Sequence, residues 1–167
     1  MGTKFFNNAP GNTLFDKLKG IASDMTTFDR FLAVVGFFRS SGYFKLRKEL
    51  GDISEIKILV GINIDDIFRK HNKALLMLAD EDKAKEIYHN GFKEDIINAQ
   101  YSPEVEEGIL QMCEDLVSGR LQMRIHATKN LHAKFYLCLP QNHSEHSDGW
   151  VIMGSSNISD SGLGIKQ

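Results

Sequence analysis

Two short segments near the end of the chain carry side chains that could act on a phosphate group. His132 and Lys134 are two residues apart, and Gly154-Ser155-Ser156-Asn157 begins twenty residues after Lys134. An imidazole can attack phosphorus, while an ammonium group and a carboxamide can stabilise the non-bridging oxygens. The turn-forming string adds backbone N–H groups and small side chains that can hold an anion. These residue types suit the cleavage of a phosphodiester.

Both segments are predicted to lie at the ends of β-strands. Residues 131–139 alternate in hydropathy, which is typical of a strand with one face on the core. The predicted core face carries Ala133, Phe135, Leu137 and Leu139, and the opposite face carries His132, Lys134, Tyr136 and Cys138. A second apolar run, residues 150–153, ends in the Gly-Ser-Ser-Asn turn. If the two strands are neighbours, the imidazole, the ammonium and the carboxamide meet at one edge of a sheet.

Together the two motifs resemble the signature of the phospholipase D superfamily. The matching elements are the His-x-Lys pair, the Gly-Ser-Ser-Asn turn, and the following Ile158-Ser159-x-x-Gly162-Leu163. The usual form has an Asp five residues after the Lys, whereas Leu139 stands there in this chain. The sequence is therefore more similar to the nuclease branch, which includes metal-independent restriction endonucleases and the domains attached to helicases. Residues 31–42 and 56–61 also resemble the opening of the helicase-associated domains.

This resemblance implies a phosphodiesterase that works through a covalent phosphohistidine and needs no metal or other cofactor. His132 would attack phosphorus, and a second histidine would protonate the leaving oxygen and then activate water. Imidazole suits both roles near neutrality because its ordinary pKa is about 6.5. Lys134 and Asn157 would stabilise the phosphorane charge, with Ser155 and Ser156 assisting.

The mechanism needs two histidines, whereas the chain carries one copy of the motif. In the resembling family, members with one motif pair two copies across a two-fold axis. We therefore expect a homodimer in which His132, Lys134 and Asn157 meet their symmetry mates. Family members also continue past Gly-Leu with a strand that bears an acidic residue. Because this sequence stops at Gln167, we expect an N-terminal part of a longer protein with a helicase or restriction module.

Composition and charge limit the class of protein. With 167 residues, of which 42% are hydrophobic, the chain can bury one core. We therefore expect residues 1–167 to form one α/β domain, a phospholipase D-like mixed sheet with helices on both faces. The net charge of −2 favours no partner, but residues 116–144 contain no acid, which suits DNA. Two cysteines without metal spacing, and no signal peptide or membrane-spanning run, predict a cytoplasmic protein that does not enter a membrane.

The remaining elements must position the two motifs. A Thr13–Asp16 capping box predicts a first helix, and residues 31–38 predict a central strand buried on both sides. Residues 56–62 predict a second parallel strand, and residues 65–118 are predicted to be mainly helical, with one helix starting after Ser102. Residues 121–126 predict a third strand, antiparallel to the His-x-Lys strand, and residues 140–149 predict a hairpin loop.

The segment Arg39-Ser40-Ser41-Gly42 joins the central strand to a helix predicted over residues 43–50. A helix N-terminus at this position could bind phosphate, so Arg39 and Ser41 are candidate substrate contacts. An ordinary N-cap with a surface arginine is the alternative. Among the other histidines, His126 is expected to be structural, and His143 and His146 are expected to be solvated because no known ligand pattern surrounds them.

Three classes of function are compatible with these features. The leading prediction is a metal-independent phosphodiesterase or nuclease that acts on DNA in a restriction or helicase-associated protein. A nucleic-acid-binding accessory domain without catalysis is the alternative. A phospholipase or phosphatidyl transferase fits less well, because the Asp is missing at Leu139 and no apolar surface stretch is evident.

Overall fold

A five-stranded mixed sheet organises the chain. The computed structural model describes residues 5–24, 28–61, 102–126 and 131–165. In chain order, the elements are α1 (Leu14–Asp24), β1 (Phe28–Val35), α2 (Ser40–Leu50), β2 (Glu55–Gly61), α3 (Pro103–Val117), β3 (Leu121–His126), β4 (Phe135–Pro140), β5 (Trp150–Met153) and α4 (Asp160–Leu163). The strand order is β3-β2-β1-β4-β5, with β1, β2 and β3 parallel and β4 antiparallel to both of its neighbours. The predicted α/β class with a mixed sheet is confirmed.

The central strand β1 shows where the core lies. Phe31, Ala33 and Val35 are buried, whereas the residues between them are only half-buried. The neighbouring strands continue the buried row, since Ala33 pairs with Ile58 of β2 and with Tyr136 of β4. Among the described residues, the core therefore lies on one face of the sheet. The β1 residues on the other face are only half-buried, which is less than the predicted burial on both sides.

The described helices share the core face. The helix α2 contacts α1, α3 and α4, and the buried side chains of these helices join the core residues of the sheet. On the other face of the sheet, side chains such as Leu32, Val34 and Leu59 are half-buried. Helices on both faces remain a prediction, because residues 62–101 of the predicted helical region lie outside the described residues.

Two predicted helix starts are confirmed by their caps. The Thr13 backbone N–H donates to Asp16 Oδ2 at 2.9 Å, and the Asp16 N–H donates to Thr13 Oγ1 at 3.1 Å, which is the reciprocal pattern of a capping box. At α3, Ser102 Oγ accepts from the Val105 N–H at 3.3 Å, and Pro103 occupies the first turn. The longest described helix, α3, has 15 residues, and none of the helices in these ranges could cross a membrane.

The predicted pairing of residues 121–126 with the His-x-Lys strand is wrong. They do form a strand, β3, but it pairs in parallel with β2 at one edge of the sheet, and β4 lies on the far side of β1. The pairing is parallel because the chain between β2 and β3 includes the helix α3. A strand–helix–strand connection returns the chain to the same end of the sheet, so the next strand is parallel.

The predicted faces of the His-x-Lys strand are also wrong. Strand β4 begins at Phe135. Tyr136 and Cys138, each 1% exposed, are its most buried side chains, whereas Phe135 and Leu137 are half-buried; of the predicted core residues in this strand, only Leu139 is buried. Hydropathy favours Phe and Leu over Tyr and Cys as core residues. The helix layer nevertheless covers the side of Tyr136, whose ring stacks on Phe31 with centroids 6.3 Å apart.

The buried carboxylate of Asp115 in α3 makes hydrogen bonds to α2 and to the residue that precedes β3. The Asp115 side chain is fully buried and accepts hydrogen bonds from Arg47 Nε at 2.6 Å, Tyr43 Oη at 2.9 Å and Arg120 Nη1 at 3.1 Å. Burial alone would raise the pKa of Asp115, but the hydrogen bonds from Arg47 and Tyr43 and the nearby guanidinium charges hold that pKa below its ordinary value. The carboxylate is thus ionised and paired within the core.

Candidate active site

The two motif segments meet at the edge of the sheet where β1 and β5 end and β4 begins. Strands β4 and β5 are antiparallel neighbours, as predicted. The Gly154 N–H donates to the Lys134 carbonyl at 3.2 Å, and a parallel bridge joins Phe38, after β1, to Ile158, after β5. The turn after β5 therefore lies against the turn after β1, with the start of β4 beside them.

Lys134 and Asn157 converge on Gly36, the first residue after β1. A Cβ on Gly36 would lie 3.2 Å from Lys134 Nζ and 3.6 Å from Asn157 Oδ1, so the glycine leaves room for both groups. Asn157 Oδ1 accepts from the Phe37 N–H at 3.0 Å, which orients the amide. Lys134 Nζ donates to the His132 carbonyl at 2.8 Å.

Among the described residues, both groups keep N–H donors that no acceptor uses. An ammonium has three donors and a carboxamide has two, and within these residues Lys134 Nζ uses one of its three, for the His132 carbonyl. In the described part of the chain, nothing accepts a hydrogen bond from Asn157 Nδ2. The Lys134 ammonium and the Asn157 carboxamide lie near each other at this edge of the sheet, and an oxyanion bound beside them could accept from the N–H groups of each.

The Lys134 ammonium lies in an environment that favours an anionic ligand. Its residue is only 6% exposed, and burial lowers the pKa of Lys134. Among the described residues, no carboxylate pairs with Lys134, so its one partner is the neutral carbonyl of His132. A buried cation without a counter-ion is costly for the fold, and such positions are typical of functional sites.

Replacement of Lys134 by Met is expected to stabilise the protein by about 1 kcal/mol, because the apolar side chain removes the burial cost of the charge. The midpoint and slope of urea unfolding would measure this change near neutral pH.

The stability of the wild-type protein should also depend on pH. Because the pKa of Lys134 is below its ordinary value of 10.5 in the folded protein, the unfolded chain binds more protons at every pH between the folded and the unfolded pKa. The wild-type protein should therefore gain stability as the pH rises through that window, and the advantage of the variant should shrink.

The matched control is Lys19→Met, since the Lys19 side chain is 53% exposed and pairs with Glu49 on the surface. Its effect should stay within about 0.5 kcal/mol. A loss of stability in Lys134→Met would show that the buried ammonium is held by favourable interactions and would contradict its assignment as an anion-binding group.

His132 lies in the segment directly before β4 and is exposed. It is not part of the strand, so it does not share a pleated face with Lys134 as predicted. The link between the two residues is the hydrogen bond from Lys134 Nζ to the His132 carbonyl. In the described ranges, neither of its ring nitrogens has a hydrogen-bond partner.

The two serines of the turn differ in exposure. Ser155 is exposed, whereas Ser156 is buried and its carbonyl accepts a hydrogen bond from Tyr136 Oη at 2.5 Å. Burial raises the pKa of Tyr136, so its hydroxyl stays protonated and can donate. Ser155 can contact a ligand, and Ser156 is better suited to hold Asn157 in place.

Arg39 and Ser41 lie next to the site but on the surface. Helix α2 begins at Ser40, three residues earlier than predicted, and Arg39 is its N-cap residue without a side-chain cap. The Arg39 guanidinium carbon lies 4.2 Å from the centroid of the Phe37 ring. Because the Phe37 N–H binds Asn157, this start of α2 adjoins the point where Lys134 and Asn157 meet.

Sequence reasoning missed Gly36 and Tyr136, which both shape the site. A glycine at the end of an apolar strand signals close approach by other groups, and this signal was present in the sequence. Tyr136 had no comparable signal, because its partner, the Ser156 carbonyl, lies in another element.

The arrangement can bind an oxyanion beside an exposed imidazole. Within the described ranges, no group of three or more His, Cys, Asp or Glu side chains is placed to hold a metal ion. His143 donates to or accepts from Ser147 Oγ at 2.9 Å and lies in the loop after β4, at the other end of the sheet. No protein-family model matches the sequence, and no curated protein matches it.

Proposed function

We propose that the chain is a metal-independent phosphodiesterase that cleaves DNA. The observation that carries the proposal is the convergence of Lys134 and Asn157 on Gly36, beside the exposed His132. The two non-bridging oxygens of a phosphodiester carry one negative charge, which the ammonium can neutralise while the carboxamide donates a hydrogen bond. These interactions strengthen as charge builds up in the transition state.

His132 is the nucleophile in this proposal. A lone pair on a ring nitrogen forms the N–P bond, and the P–O bond to the leaving alcohol breaks with its electron pair on the leaving oxygen. Water then attacks phosphorus, and the N–P bond breaks with its pair returning to the imidazole. The products are a phosphomonoester and an alcohol.

Several features favour nucleic acid as the substrate. Residues 116–144 contain no acid, and exposed Arg39 and Arg124 add positive charge on the surface. The resemblance of the two motifs to the nuclease branch of the phospholipase D superfamily points in the same direction. It also suggests that a helicase or restriction module acts with this domain.

The test is cleavage of end-labelled DNA by the purified protein in excess EDTA. We expect cleavage that is unchanged by the chelator and that continues over many turnovers. Cleavage that stops with EDTA and returns with a divalent cation would contradict the metal-independent mechanism. The variant His146→Ala should cleave DNA at the wild-type rate under the same conditions, because His146 is exposed and lies in the loop at the other end of the sheet.

A second candidate function is DNA binding without cleavage. The observation that favours it is the His132 ring, which no described residue orients by a hydrogen bond. Binding of DNA that weakens steeply with salt, together with no cleavage by the wild-type protein, would support this alternative.

Replacement of Gly36 by Ala is expected to lower the rate of cleavage by about 10–100-fold, because the new Cβ crowds Lys134 Nζ and shifts it relative to Asn157. Single-turnover rates on labelled DNA would measure the effect. Gly20→Ala is the matched control, since a Cβ on Gly20 of α1 meets nothing within 4 Å. An unchanged rate in Gly36→Ala would show that this point of the sheet edge is not where the phosphate binds.

A further inference from the structure

A stacked pair of side chains lies at the surface beside the point where Lys134 and Asn157 meet. The Arg39 guanidinium carbon is 4.2 Å from the centroid of the Phe37 ring, which is the geometry of a cation–π contact. Phe37 is half-buried and Arg39 is exposed, whereas Phe31 in β1 is fully buried in the core. The pair therefore presents an aromatic ring and a planar cation at the surface.

The backbone of this pair is bound to the turn that carries Asn157. The Phe37 N–H donates to Asn157 Oδ1 at 3.0 Å, and the Arg39 N–H donates to the Ile158 carbonyl at 2.8 Å. Phe37 also directly follows Gly36, so the Cα atoms of these two residues are about 3.8 Å apart. The backbone of the pair is thus held in a fixed position relative to the groups that would bind the phosphate.

Aromatic rings and guanidinium planes are the surfaces on which proteins stack unpaired nucleobases. Stacking uses the π-face that every base has, so it tolerates any sequence. In a duplex, the neighbouring base pairs cover both faces of an internal base. Such a base can stack on a side chain only from a single strand, from a strand end, or after extrusion from the helix. A stacking surface beside the phosphate site therefore favours a single-stranded substrate.

We propose that the Phe37–Arg39 pair binds one unpaired nucleobase of single-stranded DNA, next to the phosphate at Lys134 and Asn157. The assignment rests on the proposed function, since it takes the position of the phosphate from that site. The base stacks on the Arg39 guanidinium, and the Phe37 ring beneath it holds the guanidinium in place. The other way in which Arg39 could bind DNA is an ion pair with a phosphate, which needs its charge but not its plane.

The test compares binding of oligothymidylate with binding of an abasic oligomer of the same length, which keeps the phosphates and lacks the bases. Both affinities are measured with the His132→Ala protein, so that cleavage does not interfere. We expect oligothymidylate to bind about 5–100-fold more tightly. Adding Arg39→Lys keeps the charge but removes the plane, so the affinity for oligothymidylate should fall nearly to that for the abasic oligomer. The salt dependence of binding should not change, because the charge is retained.

Further variants separate the pair from the rest of the surface. Phe37→Leu removes the ring and should also reduce the preference for oligothymidylate. The matched controls are Arg30→Lys and Phe28→Leu, which change the same residue types at the start of β1, the opposite end of that strand. These controls should keep the full preference. Thermal unfolding would show that each variant is folded, and Arg39→Lys carries the test if Phe37→Leu is not, because its side chain is exposed.

The outcomes distinguish this assignment from the proposed function. Equal affinity of the His132→Ala protein for both oligomers would overturn the stacking role, and so would a full preference retained in Arg39→Lys. Base-dependent binding that is lost in Arg39→Lys, together with no DNA cleavage by the wild type, would support the stacking role and overturn the proposed cleavage. An active wild type should cleave a single strand faster than the same sequence in a duplex, and the reverse order would overturn the assignment.

Discussion

His132→Ala is expected to lower the rate of DNA cleavage by at least about 10⁴-fold, because no other group would form the bond to phosphorus. DNA affinity should change little, since Lys134 and Asn157 supply the donors to the phosphate. The His132 ring is exposed and outside the strand, so its removal should not affect the stability of the fold. Single-turnover cleavage and DNA binding, measured on the same preparation, would separate the two effects.

Free imidazole offers a control for the chemistry at His132. Because the ring is exposed, imidazole in solution can occupy the position left by the side chain, and we expect partial recovery of cleavage in His132→Ala. The products of the rescued reaction should be the same as those of the wild type. Substantial cleavage by His132→Ala without imidazole would contradict the assignment of this residue as the nucleophile.

The largest expected effect on stability is that of Asp115→Leu, at about 3–5 kcal/mol of unfolding free energy. Arg47 is only 7% exposed and forms its buried ion pair with Asp115, so the substitution leaves its guanidinium buried without that counter-ion. It also removes the acceptor of the Tyr43 hydroxyl. Urea unfolding at neutral pH would measure the loss.

A double variant tests the physical reason for this loss. Asp115→Leu combined with Arg47→Met removes both charges, and we expect it to recover at least half of the lost stability. Glu107→Gln is the control on the surface, because the Lys48–Glu107 pair is exposed and should contribute less than about 1 kcal/mol. A double variant no more stable than Asp115→Leu would show that packing, rather than the unpaired charge, explains the loss.

The contribution of Asp115 should depend on pH in one direction. Its pKa in the folded protein lies below the ordinary value of 3.8. The stabilisation is therefore complete above that ordinary value and is lost as the pH falls through the lowered pKa. The difference in stability between wild type and Asp115→Leu should narrow in acid.

Features set by neighbours in the sequence could be predicted. The capping box of Thr13 and Asp16 involves residues three apart, and the β4–β5 hairpin joins strands that follow each other. The meeting of Lys134 with Asn157 followed from that hairpin. In each case, short-range chemistry determines the structure, so pattern and turn residues were sufficient.

Features set by distant parts of the chain could not be predicted in the same way. The partner of β3 depends on the connection through α3, and the buried face of β4 depends on which side the helices cover. The pairing of Gly61 with His126 exists only once β2 and β3 are in register. Periodicity fixes the spacing of side chains along a strand, but not which neighbour or layer they face.

The covalent intermediate on His132 tests the central claim most directly. The wild-type protein would be mixed with a phosphodiester substrate in excess EDTA, quenched in alkali and digested, and the peptide that carries the covalently bound phosphoryl ester would be identified by mass spectrometry. We expect the peptide that carries His132 to hold the phosphoryl group with the one ester substituent that remains from the substrate. Its N–P bond should be stable in alkali and lost in acid, as in other phosphoramidates. Efficient cleavage with no phosphoryl group on His132, or with the group on another residue, would contradict the account.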